Sequence, residues 1–245
     1  MLGCPVDVID EATAVDALVA LVERRRDDAT QPGGLVVTLN PEMVMRARRD
    51  PEFRVTLEDA ALLVPDGIGI VRALRRRGHP GAMRVGGADM LMAYLPEAVR
   101  RRHRIALAGA GPGVAVVAAR RLRTRFPDLE IVATDSGAPD EALARRLRAA
   151  RPDMVWAAFG HGKQELFLRR HLRLIGAGAG VGVGGTLDYI AGRARRAPAV
   201  VRDAGLEWAW RLALEPWRLR RQLQLPRFWV LERAEAVAAS PRNAR

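Results

Sequence analysis

Six short apolar runs alternate with stretches of helical spacing, and that alternation constrains this chain more than any other feature. "GLVVTL" (residues 34–39) precedes a helix predicted from about Pro41, "ALLVPD" (61–66) precedes one from about Gly67, and "RIALAGA" (104–110) leads into "GVAVVAARRLRTRF". "LEIVATD" (129–135), "DMVWAAFG" (153–160) and "GAGVGVGG" (178–185) are followed in turn by "DEALARRLRAAR", "QELFLRRHL" and "TLDYIAG". β-rich runs of this length, bounded by Gly, Pro and Asp, are what strands buried on both faces look like. The fold predicted is α/β: a mostly parallel, Rossmann-like sheet with helices on both faces.

From about Arg195 the strand signal stops, so the division expected is a body over residues 1–195 and a helical appendage over 196–245. "GLEWAWRLALEPWRLRRQLQLPRFWV" holds four of the five tryptophans, and residues 186–245 carry twelve arginines against six acids. That is half of the net charge of +12. Arginine supplies nearly all of the positive charge, since Lys163 is the only lysine, so most arginines need no functional reading. The balance still admits phosphates, an anionic membrane or nucleic acid as partner.

One cysteine, Cys4, cannot close an internal disulfide, which points to a reducing compartment. The N-terminus "MLGCPVDVID" has neither a positive n-region nor an apolar h-region, and no apolar run nears the roughly 18 residues of a membrane span. A soluble or peripheral protein is expected.

Ligands of open α/β sheets bind at the carboxyl ends of the strands. Asn40 follows "LVVTL", and Asp66 follows "ALLVP" and precedes Gly67 and Gly69, so both belong at that edge, with the stretch from Gly160 to Gln164. Each also suits a plain helix N-cap. Gly109, Gly111 and Gly113 of "GAGPG" open a helix, where backbone amides can cradle a phosphate or diphosphate. The loop does not complete G-x-G-x-x-G, because residue 114 is Val, which leaves a dinucleotide-dependent oxidoreductase as an alternative. The histidines, His79, His103, His161 and His171, show no metal spacing and read as surface or loop residues. No G-x-S-x-G elbow or Cys/His pair supports a covalent nucleophile. A non-enzymatic nucleic-acid binder would use the arginines directly, but they lie mostly on helices among acids, and no nucleic-acid partner is expected.

"TLNPEMVMRARRDPEFR", "LLVPDGIGIV", "RVGGADML", "LAGAGPGVAVVAARRLRTRFPDLEIVATDSG", "AFGHGKQE", "GVGGTLDYIAGRARRAP" and "GLEWAWRLALEPWRLRR" occur in this order between about Gly3 and Gln222. Together they resemble the WecG/TagA/CpsF glycosyltransferases, glycosyltransferase family 26. The resemblance implies an inverting bacterial enzyme of cell-surface polysaccharide or teichoic acid synthesis. It would move a sugar, N-acetylmannosamine or a related hexose, from a UDP-sugar to polyprenyl-diphosphate-linked N-acetylglucosamine, without metal or other cofactor. No D-x-D dyad is present to hold a divalent ion. Carried over by motif, Asp66 is the general base, Thr38 and Asn40 line the pocket, and Arg84 and Gln164 are further polar site residues. The donor's diphosphate would lie near the amides of Gly109, Gly111 and Gly113. The family usually has Pro where this chain has Gly86 and Gly162, and both changes are expected to loosen a loop beside a site residue.

The same resemblance gives the appendage two tasks. Arg211, Arg218 and Arg221 would share one helical face and close on the donor's diphosphate. Trp208, Trp217, Phe228 and Trp229 would sit at a headgroup boundary on the inner face of the plasma membrane. A chain cut after about Arg195 is then expected to keep a folded body. The bland alternative is that these aromatic rings pack against the body.

Overall fold

The structure, a computed structural model, describes residues 1–198, 200–201, 206–214, 216, 219 and 223–238. All six predicted strands are present: β1 (Gly34–Leu39), β2 (Leu62–Pro65), β3 (Ile105–Gly109), β4 (Ile131–Asp135), β5 (Met154–Ala158) and β6 (Ala179–Gly182). They pair in parallel throughout, in the order β2-β1-β6-β5-β3-β4.

Helices cover both faces of the sheet. They are α1 (Glu11–Asp27), α2 (Pro41–Ala47), α3 (Pro51–Glu58), α4 (Ile68–Arg76), α5 (Gly87–Arg101), α6 (Val114–Arg125), α7 (Glu141–Ala149), α8 (Lys163–Ile175) and α9 (Thr186–Ile190). α10 (Glu207–Leu214) and α11 (Gln224–Ala238) follow in the last part of the chain. Alternate residues of β1, β2, β3 and β5 enter two cores. Val36, Val64, Leu107, Trp156 and Val181 pack with α1, α5, α6 and α9. Val37, Leu63, Ala108, Val155 and Ala157 pack with α2, α3, α4, α7 and α8. Burial on both faces is why the strands read as continuous apolar runs rather than as alternating ones.

The first turns of the helices fall into two kinds. α1, α2, α3 and α7 are capped by Asp10, Asn40, Asp50 and Asp140, each accepting from the amide three residues on. α4, α5, α6, α8 and α9 begin at glycines instead, with no side-chain cap. The single helix expected from Pro41 is two, because Asp50 and Pro51 restart it.

The end of the chain is built into the body. α11 lies across α2 and α4, and Phe228 is completely buried in the second core. Glu232, also completely buried, pairs with Arg76 and Arg77, while Glu235 pairs with Arg77 at 2.5 Å and accepts from the Leu2 amide at 2.8 Å. This corrects two expectations. Phe228 is a core residue and not a headgroup-facing ring, and a cut after Arg195 would remove part of the core. Trp229 is half-buried, with the Arg72 and Arg76 guanidiniums 6.0 and 5.7 Å from its ring. Trp208 is 45% exposed, and Trp217 lies outside the described residues.

Candidate active site

A cavity of about 320 Å³ opens over the carboxyl ends of β1, β2, β5 and β6. The chain leaving β1 turns toward β2, whereas the chain leaving β6 runs to α9, which packs on α6 at the other side of the sheet. Such a divergence opens a crevice at strand ends. The cavity wall contains Thr38, Asn40, Asp66, Arg84 and Gln164, so five polar residues expected at the site come together.

Local structure explains each position. The Asp66 amide donates to the Leu39 carbonyl at 2.8 Å, extending the β1–β2 ladder by one residue and holding the carboxylate at its end. Asp66 is not the cap of α4, because that position belongs to Gly67. Asn40 does cap a helix, its side-chain oxygen accepting from the Met43 amide at 3.1 Å, while also lining the cavity. Arg84 is brought in by its neighbour: Val85 is buried and its amide donates to the Pro65 carbonyl at 2.9 Å, which docks the loop on the end of β2. Thr38 lies in the last part of β1, against Gly87 at the start of α5.

Arg84 is the centre of the charge network. It reaches Asp66 at 3.3 Å, Asp89 at 3.0 Å and Glu207, from α10, at 3.6 Å. Burial alone would lower the pKa of Arg84, but Asp66, Glu207 and Asp89 together raise it and keep the guanidinium charged. Gln164 is 3% exposed and held at both ends of its amide. Its nitrogen donates to Glu165 at 2.7 Å, and its oxygen accepts from the Gly184 amide at 3.1 Å. Glu165 is buried and also accepts from the Gly162 amide at the start of α8. Burial raises its pKa above the ordinary value, against the opposing effect of those hydrogen bonds and of Arg46. Gly182 admits this pair to the sheet, since a Cβ there would stand 2.5 Å from both Gln164 Nε2 and Glu165 Oε1.

The glycines at 86 and 162 differ in what they do. Gly86 has φ of −76°, which proline also adopts, so its backbone freedom is not used. What matters is the missing Cβ, which would lie 2.6 Å from Arg84 Nη1 and 2.8 Å from Asp89 Oδ2. Gly162 has φ of +87°, which excludes proline, and the Arg46 guanidinium occupies the place of its Cβ. Glycine's backbone freedom, on which the expected loosening rests, is thus used at Gly162 and not at Gly86.

Gly109, Gly111 and Gly113 lie at the same edge but outside the cavity wall, because β5 and β6 separate β3 from β1. They adjoin the wall at Ala158, whose carbonyl accepts from the Ala110 amide at 2.8 Å, and the Pro112 carbonyl accepts from Arg193 at 3.1 Å. Arg218 and Arg221 lie outside the described residues, and Arg211 is described only as part of the α10 backbone. Among the described residues no group of His, Cys, Asp and Glu could hold a metal ion.

Several wall residues escape the sequence reading: Glu42, Asp188, Arg196 and Glu207, with the loop Gly182–Gly185. The signal for that loop is the "GVGG" ending of a central strand, as strong as "GAGPG" in composition. One histidine, His103, differs in its burial from the surface or loop residues expected, whereas His161 lies in a loop as expected. His161 lines the cavity, and His103 is completely buried between Tyr94, at 2.5 Å, and Glu23, at 2.7 Å.

A polar cavity over the carboxyl ends of parallel strands, with glycine-led helix starts at Gly86, Gly162 and Gly185 around it and an acid–arginine pair in its wall, is where an open α/β fold places its ligand site. Within that class the chain belongs to the glycosyl transferase WecG/TagA/CpsF family, whose model matches residues 1–241. It is 33% identical over 212 residues to N-acetylglucosaminyldiphosphoundecaprenol N-acetyl-beta-D-mannosaminyltransferase of Bacillus spizizenii, covering 85% of this chain and 82% of the relative. It is 32% identical over 198 residues to the protein of the same name from Bacillus subtilis, covering 80% and 77%. These matches give no support to the dinucleotide-dependent oxidoreductase.

Proposed function

We propose that the chain transfers N-acetylmannosamine, or a closely related sugar, from a UDP-sugar to a lipid diphosphate-linked N-acetylglucosamine, with inversion at the anomeric carbon. The observation that carries the reading is the convergence of Asp66, Arg84, Asn40, Thr38 and Gln164 in one strand-end cavity of a chain about one-third identical to enzymes named for that transfer. Asp66 takes the proton from the acceptor hydroxyl as the new bond forms. A single displacement needs only one such carboxylate. The Arg84 guanidinium fixes its orientation, and the clamped amide of Gln164 presents a rigid polar edge to the sugars.

Charge on the departing UDP must be met by cations and backbone amides. The described wall carries the carboxylates of Glu42, Asp66, Asp188 and Glu207 against the guanidiniums of Arg84 and Arg196. A diphosphate therefore needs further positive charge. The amides of Gly109, Gly111 and Gly113 and the side chains of Arg211, Arg218 and Arg221 are the source we assign, with no metal and no other cofactor.

Docking to the inner face of the plasma membrane is part of the same proposal, since the acceptor is a lipid. No helix among the described residues is long and apolar enough to cross a membrane. Among the described residues, eight of the twelve exposed large hydrophobic side chains nevertheless lie from Val200 onward, including Leu206, Trp208, Leu214, Leu219 and Leu223. Apolar and basic side chains together suit a headgroup boundary, where each basic residue contributes on the order of 1 kcal/mol. The test is a panel of UDP-sugars offered with a soluble lipid diphosphate-linked N-acetylglucosamine analogue, read by mass spectrometry. Addition of one N-acetylhexosamine is expected, and absence of any disaccharide product from the whole panel would sink the proposal.

A further inference from the structure

Asp89, in the first turn of α5, is not part of the cavity wall, yet its Oδ2 accepts from two guanidiniums that are. Arg84 Nη2 lies 3.0 Å from it and Arg196 Nη2 lies 2.6 Å from it. The two arginines come from opposite ends of the fold, Arg84 from the loop docked on β2 and Arg196 from the segment after α9. One carboxylate oxygen thus sets their spacing. Arg196 also has its Nε buried with no hydrogen-bond partner among the described residues. An unmade hydrogen bond on a buried donor costs free energy, and the Arg196 side chain, 24% exposed in the cavity wall, can be reached by an anion in the cavity that offsets that cost. Gly86 completes the arrangement, because a Cβ at that position would strike both Arg84 and Asp89.

We propose that Arg84 and Arg196 form a two-guanidinium subsite for a substrate diphosphate, and that Asp89 is the positioning residue that spaces them. The proposal deepens the glycosyltransferase reading and rests on it for the identity of the ligand. Guanidinium forks match phosphate oxygens in geometry as well as charge. Two of them held against one oxygen are close enough to meet neighbouring phosphates. Arg84 alone is a weak anion ligand, since Asp66, Asp89 and Glu207 surround it. Arg196 pairs with Asp89 and brings the less compensated charge. Both proposed substrates contain a diphosphate, the UDP-sugar donor and the lipid-linked acceptor, and either could be the one held here.

Calorimetric titration of the full chain with UDP, uridine, inorganic diphosphate and a soluble lipid diphosphate-linked N-acetylglucosamine analogue separates these sources. Arg196→Gln is expected to weaken inorganic diphosphate by about ten- to a hundredfold, the range for a lost charged hydrogen bond, and to leave uridine unchanged. A matching loss for UDP assigns the subsite to the donor, and a matching loss for the analogue assigns it to the acceptor. Asp89→Asn is expected to weaken the same ligand, and Asp89→Glu to restore part of the affinity, which a merely structural carboxylate would not do selectively. Gly86→Ala tests the spacing with no backbone strain and is expected to weaken that ligand with an unchanged melting temperature. Arg196→Lys serves if the Gln variant does not fold. Wild-type affinity for diphosphate in the Gln or Lys variant, or an equal loss for uridine, overturns the subsite, as does a wild-type chain that binds no diphosphate. Arg196-dependent binding of inorganic diphosphate without any binding of UDP leaves the subsite standing and contradicts the donor reading.

Discussion

At the residue scale, the sequence places Asp66 and Asn40 at strand ends but cannot separate a cap from a reactive group. The structure does so through one neighbour each: Asn40 caps α2, while Gly67 holds the cap position of α4 and leaves Asp66 facing Arg84. Asp66→Asn is therefore expected to keep the melting temperature and UDP affinity while turnover falls by about 10²–10⁴-fold, the range for a positioned general base. Normal turnover in that variant would remove Asp66 from the mechanism. The meeting of Arg84 with Asp66 is not legible in the chain, because it depends on the Val85 amide docking on Pro65. Arg196 was hidden for a related reason: it is one arginine among forty basic residues, and only its contact with Asp89 sets it apart. Glu165 supplies a second prediction. Burial raises its folded pKa above 4.5, so the folded chain keeps a proton that the unfolded chain releases. That contribution is fully present below about pH 4.5 and is lost as pH rises through the folded value. Urea unfolding from pH 4 upward should show the wild type losing stability relative to Glu165→Gln, and parallel curves for the two would contradict it.

At the scale of elements, five of the six strands were legible because they are buried on both faces and read as apolar runs, whereas β4, at the sheet edge, has only Ile131 buried and was legible from its β-rich composition before a turn. β6 was readable as a strand but not as a site wall; its glycines exist so that α8 can lie close, as the 2.8 Å from a Gly180 Cβ to Leu168 shows. The last segment misleads in one respect. "FWV" looks interfacial, yet Phe228 fills the second core and Trp229 packs beneath arginines. Aromatic and basic residues alternate in both settings, so composition cannot tell them apart. Phe228→Ala is expected to cost about 3–5 kcal/mol of stability, measured by denaturant unfolding, as for other buried aromatics. A loss under 1 kcal/mol would mean that α11 is not part of the core. The membrane test belongs on residues that are exposed instead. Leu219→Ser with Leu223→Ser should lower sedimentation with anionic vesicles at an unchanged melting temperature, and full sedimentation would contradict docking through this segment.

At the scale of the whole molecule, a parallel sheet gathers residues distant in sequence, from Thr38 to Glu207, around one strand-end cavity. The family to which the chain belongs is one of glycosyl transferases, and the proposed function assigns the transfer to that cavity. Transfer is expected to continue in EDTA, because the proposed mechanism meets the charge of the departing UDP with guanidiniums and amides; activity lost to EDTA and restored by magnesium or manganese would contradict this. The central claim is a single displacement at the anomeric carbon with Asp66 as base, and the configuration of the new glycosidic bond tests it most directly. Proton NMR of the disaccharide product should show the anomeric configuration opposite to that of the UDP-sugar donor. Retained configuration would exclude a single back-side displacement and would contradict the account.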